Sequence, residues 1–296
     1  MEKSAPIVLF VYNRPEHTRK TVESLLKNAF AGRSELFIYS DGSKNDEDEG
    51  KVESVRQYIH NISGFKRVEI IEREKNFGLA KSVISGVSNV LNKFSSVIVM
   101  EDDMVCSPFF LEFINTLLDF YKENSKVFSV TGYTFPIEIP SSYYYDVYAS
   151  VRASSWGWGT WKNRWEKVDW EVKDFNEFIN EPKLTAQFNL GGEDLTKMLK
   201  NQKEGKIDSW AVIWTYAHFV NDAYCIYPVK SRIKNIGTDK SGVHTSKTNK
   251  FDVDLYEDHQ ALTLIENIEP DENILKNFRK FFKKNRLSSI LDKIRN

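Results

Sequence analysis

The chain has 296 residues, 41% hydrophobic and 28% charged, which is apolar material enough for one large folded domain or two halves sharing a sheet. Lys and Arg number 41 against 42 Asp and Glu, so there is no overall positive field to gather nucleic acid, and any electrostatic function is local. The two cysteines, Cys106 and Cys225, form no metal-ligand, redox or disulfide pattern, and the short polar start with no apolar run of about 20 residues predicts neither signal peptide nor membrane span, hence a cytoplasmic protein.

Apolar runs then alternate with helical periods. Ile7 to Tyr12 reads as a strand, and Val22, Leu25, Leu26 and Ala29 mark a helix after Pro15. Leu36 to Ser40 is a second strand; Asp46 to Glu49 reads as a solvated acidic loop; Val52, Val55 and Ile59 line a second helix; Val68 to Ile71 is a third strand. Leu79, Val83, Val87, Val90 and Leu91 recur at helical spacing, and Val97 to Met100 is a strand that runs into Glu101-Asp102-Asp103. Such alternation predicts an α/β fold with a mostly parallel central sheet covered by helices on both faces.

After Cys106 the rhythm loosens into a helix from about Pro108 to Tyr121, a strand from Val127 to Thr131, and a long aromatic-rich stretch from Tyr133 to Trp170. Residues 251–296 read as a basic amphipathic helical appendage. Ile274, Leu275, Phe278, Phe281 and Phe282 share one face, and Lys276, Arg279, Lys280, Lys283, Lys284 and Arg286 surround it. A stripe of this kind either docks on its own domain or lies in an anionic membrane interface, which would put the protein at the inner face of a membrane.

Ligands of an open parallel sheet bind beyond the carboxyl ends of its strands, where loops and helix N-termini converge. Glu101-Asp102-Asp103 sits at such an end. Adjacent carboxylates are costly unless a cation compensates them, and hard oxygen ligands suit Mn2+ or Mg2+ shared with a diphosphate; the alternative is a solvated turn or helix-cap cluster. Val11-Tyr12-Asn13-Arg14-Pro15 and Ser40-Asp41-Gly42-Ser43 close two more strands on the same edge. There Asp41 can accept hydrogen bonds from a base or ribose and Arg14 can pair with phosphate or sugar oxygens, though taken singly each is as readily an ordinary turn or surface residue. No Gly-x-Gly-x-x-Gly follows the first strand and there is no P-loop, so carboxylate-held metal remains the means of neutralising phosphate.

These motifs, with Asn76-Phe77-Gly78-Leu79-Ala80-Lys81, together resemble the GT-A class of nucleotide-sugar glycosyltransferases. Their continuation into Ser107-Pro108-Phe109-Phe110, Ser154-Ser155-Trp156-Gly157-Trp158-Gly159-Thr160-Trp161, Ser231 to Gly237 and Gly242-Val243-His244 is similar to the N-acetylglucosaminyltransferase I branch and its bacterial family-2-type relatives. The resemblance spans residues 6 to about 250. It implies a nucleotide-sugar-binding half, residues 1–105, and an acceptor-binding and catalytic half, residues 106–250, of one GT-A domain. It further implies Asp103 as the metal ligand, Glu101 and Asp102 on donor sugar and ribose, Asp41 on the base and Arg14 on the donor. Val11, Tyr12 and Lys81 belong to the same donor set. The implied reaction is an inverting displacement from a nucleoside-diphosphate sugar, UDP-N-acetylglucosamine among the candidates, onto a glycan or lipid-linked acceptor.

Such a reaction needs a base, and Asp208 is preferred over Glu193-Asp194; its competing role is an N-cap for the helix beginning near Ala211. Trp156 and Trp158, spaced by Gly157, either line a sugar pocket or pack in the core. His244 either touches phosphate or metal, or stands in solvent. The rival functions are a non-catalytic carbohydrate-binding protein and a nucleotide-sugar hydrolase or nucleotidyltransferase.

Overall fold

A computed structural model describes residues 4–239 and 248–283. Its first half repeats β-α units: β1 (Ile7–Val11), α1 (Pro15–Leu26), β2 (Glu35–Ser40), α2 (Asp46–Ile59), β3 (Arg67–Glu72), α3 (Leu79–Leu91) and β4 (Ser96–Glu101). Pro15, with φ preset for a helix, opens α1. The four strands pair in parallel, in the order β3-β2-β1-β4.

The second half begins with β5 (Met104–Cys106), α4 (Phe110–Phe120) and β6 (Val127–Thr131). The aromatic stretch then supplies β7 (Val147–Ser150), β8 (Trp158–Trp161) and a single-turn α5 (Lys162–Trp165). Helices α6 (Phe175–Asn180), α7 (Pro182–Phe188), α8 (Leu195–Lys203) and α9 (Trp210–Val220) follow, then β9 (Tyr224–Pro228), β10 (Ile233–Asn235) and α10 (Glu272–Phe282). The eight-stranded sheet runs β3-β2-β1-β4-β8-β6-β9-β7, and β5 with β10 forms a separate antiparallel ribbon. Only β7 and β8 oppose the common direction, so the sheet is mostly parallel as expected.

Period-2 alternation sorts the strands onto two cores. Ile7, Leu9, Leu36, Ile38, Ile98 and Met100 face α1, α2 and α4, whereas Val8, Phe10, Phe37, Tyr39, Val97 and Val99 face α3 and α9. Helices therefore cover both faces.

One expectation needs correction. Asp46 to Glu49 is the first turn of α2, not a loop: the Asn45 side chain accepts from Asp48 N at 3.0 Å, and the four carboxylates sit at the positive end of the helix dipole. The apolar stripe of α10 is spent on the protein itself, because Ile274 and Phe278 are buried against Tyr148 and Tyr227, and Phe278, Phe281 and Phe282 surround Phe135. Docking on its own domain is thus the alternative the described part of this stripe follows. Ile265 and Ile268 also enter the main core, and Tyr121 donates to the Ile265 carbonyl at 2.9 Å, so the C-terminal region is woven into the body. Among the described residues no helix is long and apolar enough to cross a membrane.

Candidate active site

Because β1, β2 and β4 are parallel neighbours, Val11, Ser40 and Glu101 end on one edge. Glu101 is the last residue of β4, and the chain turns sharply at Asp102 and Asp103, which are 3% and 6% exposed. Arg14, immediately before α1, reaches over both: its Nη2 bonds Asp102 Oδ1, and its Nη1 lies 3.0 Å from Asp103 Oδ2. Thr21 of α1 donates to the Asp102 carbonyl at 2.8 Å. From the other side β10 closes in. Asn235 Nδ2 is 3.4 Å from Asp103 Oδ1, and Ile236 N donates to the Asp103 carbonyl at 2.9 Å. A methyl group on Gly237 would lie 2.1 Å from Asp103 Oδ2, so only glycine permits this approach.

Two carboxylates thus share one guanidinium, with Glu101 beside them. Burial, then the charges of Asp103 and Asp102, push Glu101 up to about 8, and burial lifts Asp102 to about 6 against the lowering effect of Arg14. Burial alone would lower the pKa of Arg14, but Asp102 and Asp103 raise it, so Arg14 stays charged. Its Nη1 is nevertheless buried without a hydrogen bond, out of line with the neighbouring carboxylate. Surplus negative charge and hard oxygen donors suit a divalent cation. No group of three His, Cys, Asp or Glu gathers among the described residues. The residues therefore fit an ion that takes one or two carboxylates and fills its shell with water and phosphate oxygens, as Mg2+ and Mn2+ do.

The neighbouring loops are knitted together. Asp41 accepts from Phe77 N at 2.9 Å, Gly78 N at 3.0 Å and Gly42 N at 3.1 Å, and Asn76 Nδ2 donates to the Gly42 carbonyl at 2.8 Å. Its carboxylate therefore holds the turn after β2 to the turn after β3. Tyr12 donates to Asp48 at 2.9 Å and accepts from Lys44 N at 2.9 Å; Asn13 donates to Asp48 at 2.7 Å. Burial and the Asp48 partner push the Tyr12 phenol up to about 12. Val11 is buried. Lys81, exposed on the first turn of α3, stands 4.4 Å over the ring of Phe77, itself 40% exposed.

Asp208 lies outside the first turn of α9, whose N-cap is Ser209 and carries no side-chain cap bond. It is exposed, and its Oδ2 lies 3.7 Å from where a Cβ on Gly78 would stand, which puts it by the N-terminus of α3. Asp194 is engaged instead by both guanidinium nitrogens of Arg152, at 2.9 and 3.1 Å, and Glu193 Oε1 is 3.9 Å from Lys283 Nζ. The tryptophan motif splits. Trp158 is fully buried, stacked on Trp210 at 5.3 Å, and Trp161 donates to the Leu118 carbonyl, so both pack in the core. Trp156 is partly exposed against Tyr133 and Phe251, and the Gly157 carbonyl accepts from Gly132 N at 2.7 Å. His244 lies outside the described residues.

Sequence reading gave no role to Asp48, Asn235 and Gly237. Asp48 was hidden in an acidic run, although its three-residue spacing from Asn45 is a capping signal. Nothing local to Asn235 or Gly237 announces contact with a carboxylate more than a hundred positions away.

No curated protein sequence matches the chain significantly. Among solved structures it is similar to S. aureus TarS, at 13% identity and a TM-score of 0.43 over 77% of this chain, where it spans only 36% of that chain. It is also similar to the mannosyltransferase PcManGT from Pyrobaculum calidifontis in complex with GDP-Man and Mn2+, at 11% identity and a TM-score of 0.43 over 74% of this chain and 70% of that one. Overlaps this loose carry none of the assignment. The family model for glycosyl transferase family 2 covers residues 7–195, from the first residue of β1 to the start of α8, and so takes in the parallel half-sheet, the carboxylate edge and the antiparallel β8. A match over well over half of the chain, on the residues that build this edge, places the protein in glycosyl transferase family 2, with a GT-A fold.

Proposed function

We propose that the chain is a metal-dependent glycosyltransferase that moves a sugar from a nucleoside-diphosphate donor to a glycan or lipid-linked acceptor hydroxyl, with inversion. The observation that carries this reading is the buried Asp102-Asp103 pair under Arg14 at the carboxyl end of β4. Asp103, with Asp102 beside it, would hold Mn2+ or Mg2+, which when bound would supply positive charge to stabilise the leaving diphosphate. Arg14 is the cation beside these carboxylates that pairs with the diphosphate oxygens. The loops joined by Asp41, with Tyr12, wall the nucleoside, and Glu101 and Asp102 face ribose and donor sugar. Asp208, with no hydrogen bond among the described residues, takes the acceptor proton as the new glycosidic bond forms and the bond to diphosphate breaks. The order of motifs shared with the N-acetylglucosaminyltransferase I branch puts UDP-N-acetylglucosamine first among donors to try.

A panel of UDP- and GDP-sugars with Mn2+, scored by thermal shift and slow donor hydrolysis, tests this. A donor at 100 times its Kd stabilises the native state by about 2.7 kcal/mol. Asp103→Ala and EDTA each abolish shift and hydrolysis while the protein stays folded. Undiminished hydrolysis by Asp103→Ala refutes the assignment.

A further inference from the structure

β10 joins the carboxylate edge to a second cleft. Asn235 and the following Ile236 touch Asp103, whereas Lys234, one residue earlier, lines a cleft of about 610 Å³. Thr134 and Phe135 from beyond β6, Lys230 from beyond β9, and Asp252, Asp254 and Tyr256 are among its other lining residues. Strands β6 and β9 run in the direction of β4, since β8 is antiparallel to both β4 and β6, so this cleft opens on the donor edge.

The outer wall is built to hold its shape. Tyr256 N donates to the Ser231 carbonyl at 2.8 Å, Arg232 Nη1 donates to the Asp258 carbonyl at 3.0 Å, and Lys230 and Arg232 stand 4.2 and 4.6 Å from the Tyr256 ring. That wall lies outside residues 7–195, so it is a feature of this chain beyond the span shared with the family. Lys230, Lys234, Asp252 and Asp254 are in no ion pair among the described residues. Charged donors and acceptors of both signs, left unpaired beside an apolar Phe135 wall, match the hydroxyls and ring faces of a sugar. A polyanion would meet Asp252 and Asp254.

We propose that this cleft is the acceptor subsite, that its occupant is a neutral saccharide, and that Lys234 and Asp254 determine which saccharide is accepted. The assignment rests on the glycosyltransferase reading above. It gives β10 a role: its two faces serve different sides, Asn235 directed to Asp103 and Lys234 to the cleft.

The test uses the full chain, Mn2+, the UDP- and GDP-sugar panel and an array of immobilised neutral and acidic oligosaccharides. The wild type labels neutral glycans. Lys234→Ala and Asp254→Asn each lower that labelling by about tenfold or more, the loss expected for one charged hydrogen bond, while the donor-induced thermal shift stays at its wild-type size. Asp254→Asn, on the exposed rim, carries the test if Lys234→Ala does not fold. Wild-type labelling by both variants overturns the proposal, as does a wild type that labels only acidic glycans or hydrolyses donor without labelling any glycan. A wild type with no donor-induced shift removes the glycosyltransferase reading, and the acceptor assignment with it.

Discussion

Replacing Gly237 with alanine tests the carboxylate edge without touching a charge. The new Cβ would lie 2.1 Å from Asp103 Oδ2 and 2.9 Å from both Asp103 Cγ and Arg14 Nη1, whereas ordinary contact begins at 3.4 Å, so the carboxylate must move by more than 1 Å. Asp103 cannot retreat freely, because its carbonyl is held by Ile236 N at 2.9 Å and Arg14 lies against it. A displacement of that size at a reacting centre costs about 100-fold in kcat/KM, or roughly 2.7 kcal/mol of transition-state stabilisation. Overpacking adds a stability loss of about 1–3 kcal/mol. Donor hydrolysis and the Mn2+-dependent thermal shift are the assays, with urea unfolding to separate the two effects. Gly50→Ala is the control: its Cβ meets nothing within 4 Å, and in the middle of α2 it stabilises the protein by about 1 kcal/mol with hydrolysis unchanged. Turnover and donor shift of Gly237→Ala within about twofold of wild type would show that Asp103 does not act from this position.

Asp208→Asn keeps the donor-induced shift and lowers transfer by about 100-fold to 10,000-fold; if Glu193 or Asp194 variants do so instead, the base is misassigned. Trp158→Ala costs about 3–5 kcal/mol in urea unfolding, with donor affinity retained wherever the variant remains folded, since the ring packs on Trp165, Trp210 and Trp214. Burial lowers His218 from 6.5 to about 4, so its contribution to stability is complete above pH 6.5 and lost as pH falls towards 4; a melting series with His218→Gln flattens in that window. Glu101 runs the other way. Its pKa is raised from 4.5 to about 8, so stability is complete below 4.5 and lost as pH rises through 8, and Glu101→Gln removes that fall.

What was legible in the sequence was whatever depends on near neighbours. Leu36 to Ser40 and Val127 to Thr131 are apolar runs of strand length, and each strand lies within a residue of its run. The strand-end motifs followed, because a parallel sheet brings Arg14 and Asp102 to one edge whatever the loops between them do. Long-range pairing was not legible. Trp156 and Trp158 are two residues apart and alike in composition, yet only Trp158 falls on β8, where it is driven among three other tryptophans.

The same limit governs the acidic residues. Asp41 reads as a base or ribose contact or an ordinary turn, and Asp208 as a general base or an N-cap, and nothing near either tells how its oxygens are used. In the fold Asp41 is surrounded by backbone donors of the loop after β3, so its charge is consumed in holding two turns together. Asp208 stands beside the same loop, close to Gly78, and takes no bond from it. A carboxylate whose oxygens are directed at backbone N–H groups has little left to offer a substrate hydroxyl, whereas an exposed and unbonded carboxylate is free to meet one. In the proposed reaction the base is therefore the acid that the loops leave unbonded, and only the folded contacts distinguish Asp208 from Asp41 in this respect.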